Sequence, residues 1–274
     1  MAEIFGFDCY SPREIAERVE TVGVTKASLP FTSTVALGVL AGGFIGLGAM
    51  FATLVLSDSG LDFAVARVLA GVVFSLGLIL VVIAGAELFT GNNLLVMTCV
   101  AGRITAGRLL ANLAIVYVAN FIGAAGLAGI VALSGHARLG GGSVGDMAVA
   151  LATAKVALPL GEAFFRGVLC NVLVCLAVWL AMAGRSVTDK ILAIIFPVSA
   201  FVAAGFEHCV GNMYFIPLGF FLGADMDLGA VVYHFIVVTL GNFAGGSVLV
   251  GLVYHTIYRR DQISSVPPST PKKP

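Results

Sequence analysis

The sequence predicts an all-α integral membrane protein with six transmembrane helices in two inverted three-helix repeats, the second and fifth spans interrupted. Three observations carry that prediction. Of the 274 residues, 59% are hydrophobic and 11% charged, and a mean hydropathy of +1.04 is too apolar for a soluble globule. Six apolar stretches approach or exceed the roughly 20 residues that a spanning helix needs. The third is a duplication: Gly85-Ala86-Glu87-Leu88-Phe89-Thr90-Gly91-Asn92 recurs 120 residues on as Gly205-Phe206-Glu207-His208-Cys209-Val210-Gly211-Asn212. Both copies read G-x-E-x-x-x-G-N in the middle of an apolar stretch. A carboxylate inside a span is costly, so two at matching places mark a duplicated working site. Paired Gly-interrupted hydrophobic segments point to a transport site in an inverted repeat.

The elements follow in order. Ser11-Pro12-Arg13-Glu14 reads as a helix start, with Ser11 as N-cap, Pro12 at the first position and Glu14 closing a capping box. Ile15, Val19 and Val22 then share a face, which predicts an amphipathic helix over 1–28, anchored on the cytoplasmic surface or acting as a gate. Span one covers 31–56, where Gly38, Gly42 and Gly46 permit close helix approach. Span two, 68–102, is broken only at Glu87; span three covers 109–133. Span four, 167–184, is extended outward by the Glu162/Arg166 pair. Span five, 191–224, breaks at Glu207-His208, and span six, 228–258, carries only His234 and His255. A second match, Asn120-Phe121-Ile122-Gly123 with Asn242-Phe243-Ala244-Gly245, supports repeats over about 29–135 and 150–260. One transport domain thus fills 1–262, and a Ser/Pro/Lys-rich tail over 263–274 reads as disordered.

Lys+Arg and Asp+Glu balance at 15 each, which gives no sign of a nucleic-acid partner. Their distribution is uneven. Arg13, Arg18, Lys26, Arg103, Arg108, Arg185, Lys190, Arg259, Arg260, Lys272 and Lys273 fall on one side. Arg67, Arg138 and Lys155 fall on the other, with Asp58, Asp62, Asp146, Asp225 and Asp227. The positive-inside rule then places both termini of this multi-pass membrane protein in the cytoplasm. No cleavable signal is apparent at the start. Five cysteines without C-x-x-C spacing and four scattered histidines suggest neither disulfide nor metal, and no cofactor is expected.

At the breaks, Gly85, Gly91, Gly205 and Gly211 permit unwinding, and half-helix N-termini favour an anion. Glu87 and Glu207 read mainly as braces that accept hydrogen bonds from the opposite repeat's backbone, since an exposed carboxylate repels an anion. His208 has Leu88 as its repeat mate, so symmetry does not demand it; a core residue and a protonatable pore residue are both open. Thr90 offers a hydroxyl on the other break. Lys155 is either an interface anchor or an anion collector. Asn171 and Asn242 either join helices or line a path.

On these residues the chain resembles the formate/nitrite transporter family. The matching segments are Phe74-Ser75-Leu76-Gly77-Leu78-Ile79-Leu80, Gly85 to Thr90, Gly102-Arg103-Ile104-Thr105, Cys170-Asn171 through Trp179, Gly205-Phe206-Glu207-His208 and Thr239-Leu240-Gly241-Asn242. The resemblance spans essentially the whole chain. It implies a homopentamer of aquaporin-like protomers, each with its own pore in the lipid bilayer. By position it makes His208 the central pore histidine, Thr90 its partner, Lys155 the vestibule lysine, and Asn171 and Asn242 polar pore residues. Leu78 and Phe74 with Phe201 become the apolar constrictions, Phe74 and Phe201 on opposite sides of His208, while Leu88 and Phe89 fall in a mobile loop at the second-span break. Ile216-Pro217 is similar to the formate branch and Gly91 to the nitrite branch; the balance favours formate over nitrite or hydrosulfide.

An anion crossing apolar rings loses several kcal/mol in desolvation and its protonated acid much less, which favours passive, proton-coupled transport. No P-loop for ATP is present. An enzyme built on Glu207, His208 and Cys209 is disfavoured, because adjacent positions do not face one pocket. A water or glycerol pore is disfavoured because neither break carries an Asn-Pro-Ala-like tip.

Overall fold

Among the described residues six helices are long and apolar enough to cross a membrane, and no strand is present. The structure is a computed structural model and describes residues 9–57 and 60–259. The expected tail over 263–274, residues 1–8 of the start on which no signal was expected, and Asp58, Arg260, Lys272 and Lys273 lie outside them.

Helix α1 (Pro12–Ala27) starts as its sequence dictates: Ser11 Oγ accepts from the Glu14 N–H while the Glu14 carboxylate accepts from the Ser11 N–H at 2.7 Å. Its apolar face does not lie on a membrane surface. Ile15 and Val19 are buried against Leu94, Met97, Trp179 and Val250, so α1 docks on the protein itself.

The first repeat continues with α2 (Phe31–Leu56), α3 (Phe63–Leu80) and a π-helical turn Val81–Gly85. After the break come the short α4 (Phe89–Asn92) and α5 (Leu95–Val100), then α6 (Ala106–Leu133). The second repeat has α7 (Ser143–Val156), α8 (Leu160–Ala183), α9 (Val187–Ala204), the break, and α10 (Cys209–Phe221). It closes with α11 (Leu228–Phe243), a π-helical stretch Ala244–Leu252 and α12 (Val253–Tyr258), which together form one 31-residue span.

Helix α2 packs on α3 and α6, and α8 packs on α9 and α11; α3 against α9 joins the two repeats. Each half-helix reaches into the opposite repeat, α10 onto α2 and α6 and α4 onto α8. Close approach is built in. A Cβ on Gly123 would strike the Val39 carbonyl, and one on Gly245, its repeat mate, the Val168 carbonyl. The outer surface keeps an apolar belt that includes Ile122, Phe165, Phe196 and Leu240.

Candidate functional site

The two breaks are held by one device used twice. Gly85 and Gly205 adopt φ of +85° and +76°, which a side chain disfavours, and turn the chain out of α3 and α9. The backbone groups this frees must find partners inside the membrane. Asn120 Nδ2 donates to the Glu87 and Gly38 carbonyls, both at 2.8 Å, and its Oδ1 accepts from the Phe89 N–H at 2.9 Å. Asn242 repeats the pattern on the Glu207 and Gly167 carbonyls and the Cys209 N–H, at 2.9, 2.8 and 2.9 Å. Thus two asparagines, not the glutamates, brace the breaks. Gly91 and Gly211, expected to permit unwinding, are helical; they sit one on each cavity wall, where a Cβ would make ordinary contacts with Val178 and with His208 and Phe74.

The glutamate side chains instead hold lysines. Lys26 Nζ donates to Glu87 Oε1 at 2.8 Å and to Asn92 Oδ1 at 2.9 Å, and Asn92 Nδ2 donates to Glu87 Oε2 at 2.7 Å and Asn112 Oδ1 at 2.9 Å. In the second repeat Lys155 Nζ donates to both Glu207 oxygens at 3.1 and 2.9 Å. Asn212 Nδ2 then bonds Glu207 Oε2 at 2.8 Å and His234 Nε2 at 2.9 Å. Lysine cancels each buried carboxylate, which removes the repulsion an anion would otherwise meet.

Each cluster stands in the wall of a cavity. One, of about 470 Å³, holds Lys26, Glu87, Leu78, Leu88 and Gly91; Arg18 and Val22 of α1 also line it. The other, of about 210 Å³, holds Lys155, Glu207, His208, Phe74, Phe201 and Gly211. Between them lies the contact that joins the two half-helices, Thr90 Oγ1 to His208 Nε2 at 3.0 Å, with both side chains buried.

His208 is also the N-cap of α10: its Nδ1 accepts from the Gly211 N–H at 2.9 Å. That bond leaves the ring proton on Nε2, which therefore donates to the Thr90 hydroxyl oxygen. The repeat mate Leu88 gives α4 no side-chain cap. His208 thus both closes its helix end and reaches the other half-helix, which its repeat mate does not.

Several expected placements change. Phe74 and Phe201 do not flank His208. Their rings meet edge-on at 5.7 Å, and Phe201 stacks on His208 at 5.8 Å. Helices α3 and α9 run antiparallel, so the start of one lies level with the end of the other, as the Arg67 bonds to the Val202 and Ala203 carbonyls show. Both rings therefore wall the Lys155 cavity, and Leu78 and Leu88 wall the other. Phe89 lines neither cavity and packs edge-on against Tyr117. Asn171 and Asn242, expected along the path, line neither cavity: Asn171 donates to the Asn242 carbonyl at 2.7 Å, and both are fully buried.

Lys26, Asn92, Asn112, Asn120, Asn212 and His234 were not assigned as site residues from sequence. Asn92 and Asn212 close the G-x-E-x-x-x-G-N motif and Asn120 opens the second match, so three of the six carried a signal.

Two half-helices of opposite direction, touching between two lysine-bearing cavities, define an inverted-repeat membrane transport protein. The chain belongs to the formate/nitrite transporter family, whose model matches residues 13–256. It is 38% identical over 267 residues to the formate channel FocA of Haemophilus influenzae, covering 88% of this chain and 92% of that protein. A solved FNT family ion channel superposes with a TM-score of 0.82 at 31% identity, over 89% of this chain and 98% of that one. A pentameric formate channel with formate bound gives a TM-score of 0.74 at 35% identity, over 83% and 97%.

Proposed function

We propose that this chain carries formate down its gradient, with a proton, through a pore in each subunit of a homopentamer in the bacterial inner membrane. The observation that carries the reading is the Thr90–His208 contact standing between two cavities, each with a lysine in its wall. With each lysine paired to a glutamate, the excess positive charge in the cavity walls comes from Arg18 and Lys190 on one side and Arg67 on the other, and it concentrates anions. A bare anion meeting Phe74, Phe201, Leu78 and Leu88 loses several kcal/mol of hydration, and its acid far less.

His208 supports that conversion. A proton taken at Nδ1 breaks the Gly211 cap and makes Nε2–H a stronger donor; Thr90 accepts that proton while its own hydroxyl proton passes to a formate oxygen. His208 is left neutral with its proton on Nδ1, and return of that proton to Nε2 through water restores the cap. The cap thus acts as a restoring force.

Relatives named as formate channels, together with Ile216-Pro217, favour formate over nitrite or hydrosulfide. A pentameric relative and the apolar belt support the pentamer. The Lys26 mouth, flanked by Arg13, Arg18, Arg103, Arg108, Arg185 and Lys190, faces the cytoplasm in this reading and carries both termini. Flux in proteoliposomes tests it: formate should exceed nitrite, with water and glycerol near the protein-free rate. Glycerol or water flux above formate flux would overturn it.

A further inference from the structure

The two lysine–glutamate–asparagine clusters share their chemistry, and one difference between them is titratable. In the Lys26 cluster, Asn92 Nδ2 bonds Asn112, whereas in the Lys155 cluster the corresponding Asn212 Nδ2 bonds His234. His234 lies 122 residues after Asn112, the same interval that separates Asn242 from Asn120. A neutral, untitratable amide on one side is thus replaced by an imidazole on the other.

The imidazole is placed to take a proton. It is 1% exposed, and its Nε2 lies 3.7 Å from Glu207 Oε2. While Nε2 accepts from Asn212, the ring proton sits on Nδ1, which has no hydrogen-bond partner, and neither has Asn212 Oδ1. The elements around α11 carry other titratable groups: Asp146 and Lys155 on α7, Glu162, Arg166 and Cys170 on α8, Cys209 and Tyr214 on α10, and Tyr117 on α6. Among the described residues only Glu207 comes within ion-pair distance of the His234 ring.

We propose that His234 is a second proton-binding site, separate from His208, that sets the anion-attracting charge of the Lys155 mouth. A proton added at Nε2 replaces the bond from Asn212 with an ion pair to Glu207 Oε2. Glu207 is then shared between Lys155 and His234, and the cluster passes from no net charge to one positive charge. Lys155 is held less tightly and turns toward the cavity. Asn112 cannot do this for Lys26, so acid on the Lys155 side raises anion capture at that mouth, while acid on the Lys26 side leaves its own mouth unchanged. The inference rests on anion entry past Lys155, as argued above, and adds a sidedness which that reading does not contain.

The test uses oriented proteoliposomes, with formate flux corrected for the protein-free leak and for the change in formic acid fraction. Acidifying the Lys155 side from about pH 7.5 to about pH 5.5 should raise wild-type entry from that side roughly threefold beyond the corrected value. His234→Asn, which installs the residue of the other mouth, should abolish that excess, read as the ratio of corrected fluxes at the two pH values. The same excess in His234→Asn overturns the inference. If that variant does not assemble, His234→Gln serves, and the wild type alone also decides: equal corrected responses to acid on either side overturn the proposal. Formate flux near the protein-free rate in wild type, whatever the pH, overturns the transport reading and this inference with it.

Discussion

Replacing His208 by Asn and by Phe separates its two tasks. The cap bond from the Gly211 N–H to Nδ1 is 2.9 Å long and fully buried, and the bond to Thr90 is 3.0 Å. Asparagine is among the best N-caps, so His208→Asn keeps the first bond and loses the ring that reaches Thr90. Phenylalanine loses both. Loss of an N-cap costs about 0.5–2 kcal/mol, and an unsatisfied buried N–H about 1–3 kcal/mol; these describe the same vacancy and are not summed. Phe fills the ring volume beside Phe201 that Asn leaves empty, which offsets part of its penalty, so the expected gap is about 1 kcal/mol in favour of Asn. The pentamer's thermal midpoint and formate flux against pH are measured for both. His208→Asn should assemble and melt above His208→Phe, while both lose the wild-type pH dependence except the Lys155-side excess assigned to His234. A wild-type pH profile in His208→Asn would refute the proton role, and a Phe variant more stable than the Asn one would refute the cap.

Other substitutions probe the rest of the path. Lys155→Gln should cut formate flux most at low formate and moderate ionic strength; because it strands the buried Glu207 carboxylate, some loss of stability is expected as well, and Lys155→Gln/Glu207→Gln should recover stability but not flux. Phe201→Ala should raise the acetate-to-formate flux ratio, because that ring walls the Lys155 cavity, and lower stability by about 3–5 kcal/mol; an unchanged ratio with a lowered melting temperature would make it a packing residue only. Asn242→Leu removes three hydrogen bonds at a break and should impair assembly more than Asn171→Leu, which removes one to backbone; equal pentamer yields on size exclusion would contradict the bracing role. Glu14 is held below the usual carboxylate range, first by the Ser11 backbone N–H, so its support of α1 is complete above the unfolded carboxylate value and fades as pH falls through the folded one. The single tryptophan, Trp179, packs against α1 and stacks on Tyr254, and its fluorescence should report α1 loosening at higher pH in Glu14→Ala than in wild type.

The spans and breaks were legible because lipid enforces them: a charge-free run of membrane length has one structural outcome, and a repeated G-x-E-x-x-x-G-N marks both interruptions. Thr90 and His208 lie within those motifs, but they are not repeat mates, and their pairing was reachable only through the resemblance to the family. Lys26 was harder. Lys155 follows it by 129 residues, whereas Glu207 follows Glu87 by 120, because the link from each pre-helix to its break differs in length between the halves. No constant offset brings both pairs into register. The levels of Phe74 and Phe201 depend on how α3 and α9 slide past each other, which no local pattern records. Asn242 was read as pore-lining from position in the family, while the backbone groups that need it appear only once the break is folded. His234 looked like a lone histidine on an apolar span, and only its place opposite Asn112 gives it meaning.

The central claim is that formate crosses with a proton, and the most direct measurement follows both together. Proteoliposomes carrying an internal pH dye and a potential-sensitive dye receive an inward formate gradient. Transport as the acid should acidify the lumen in step with formate entry, faster than in protein-free liposomes, with little membrane potential; the excess should shrink in His208→Asn. Formate entry that builds an inside-negative potential and leaves lumenal pH at the protein-free rate would contradict the account.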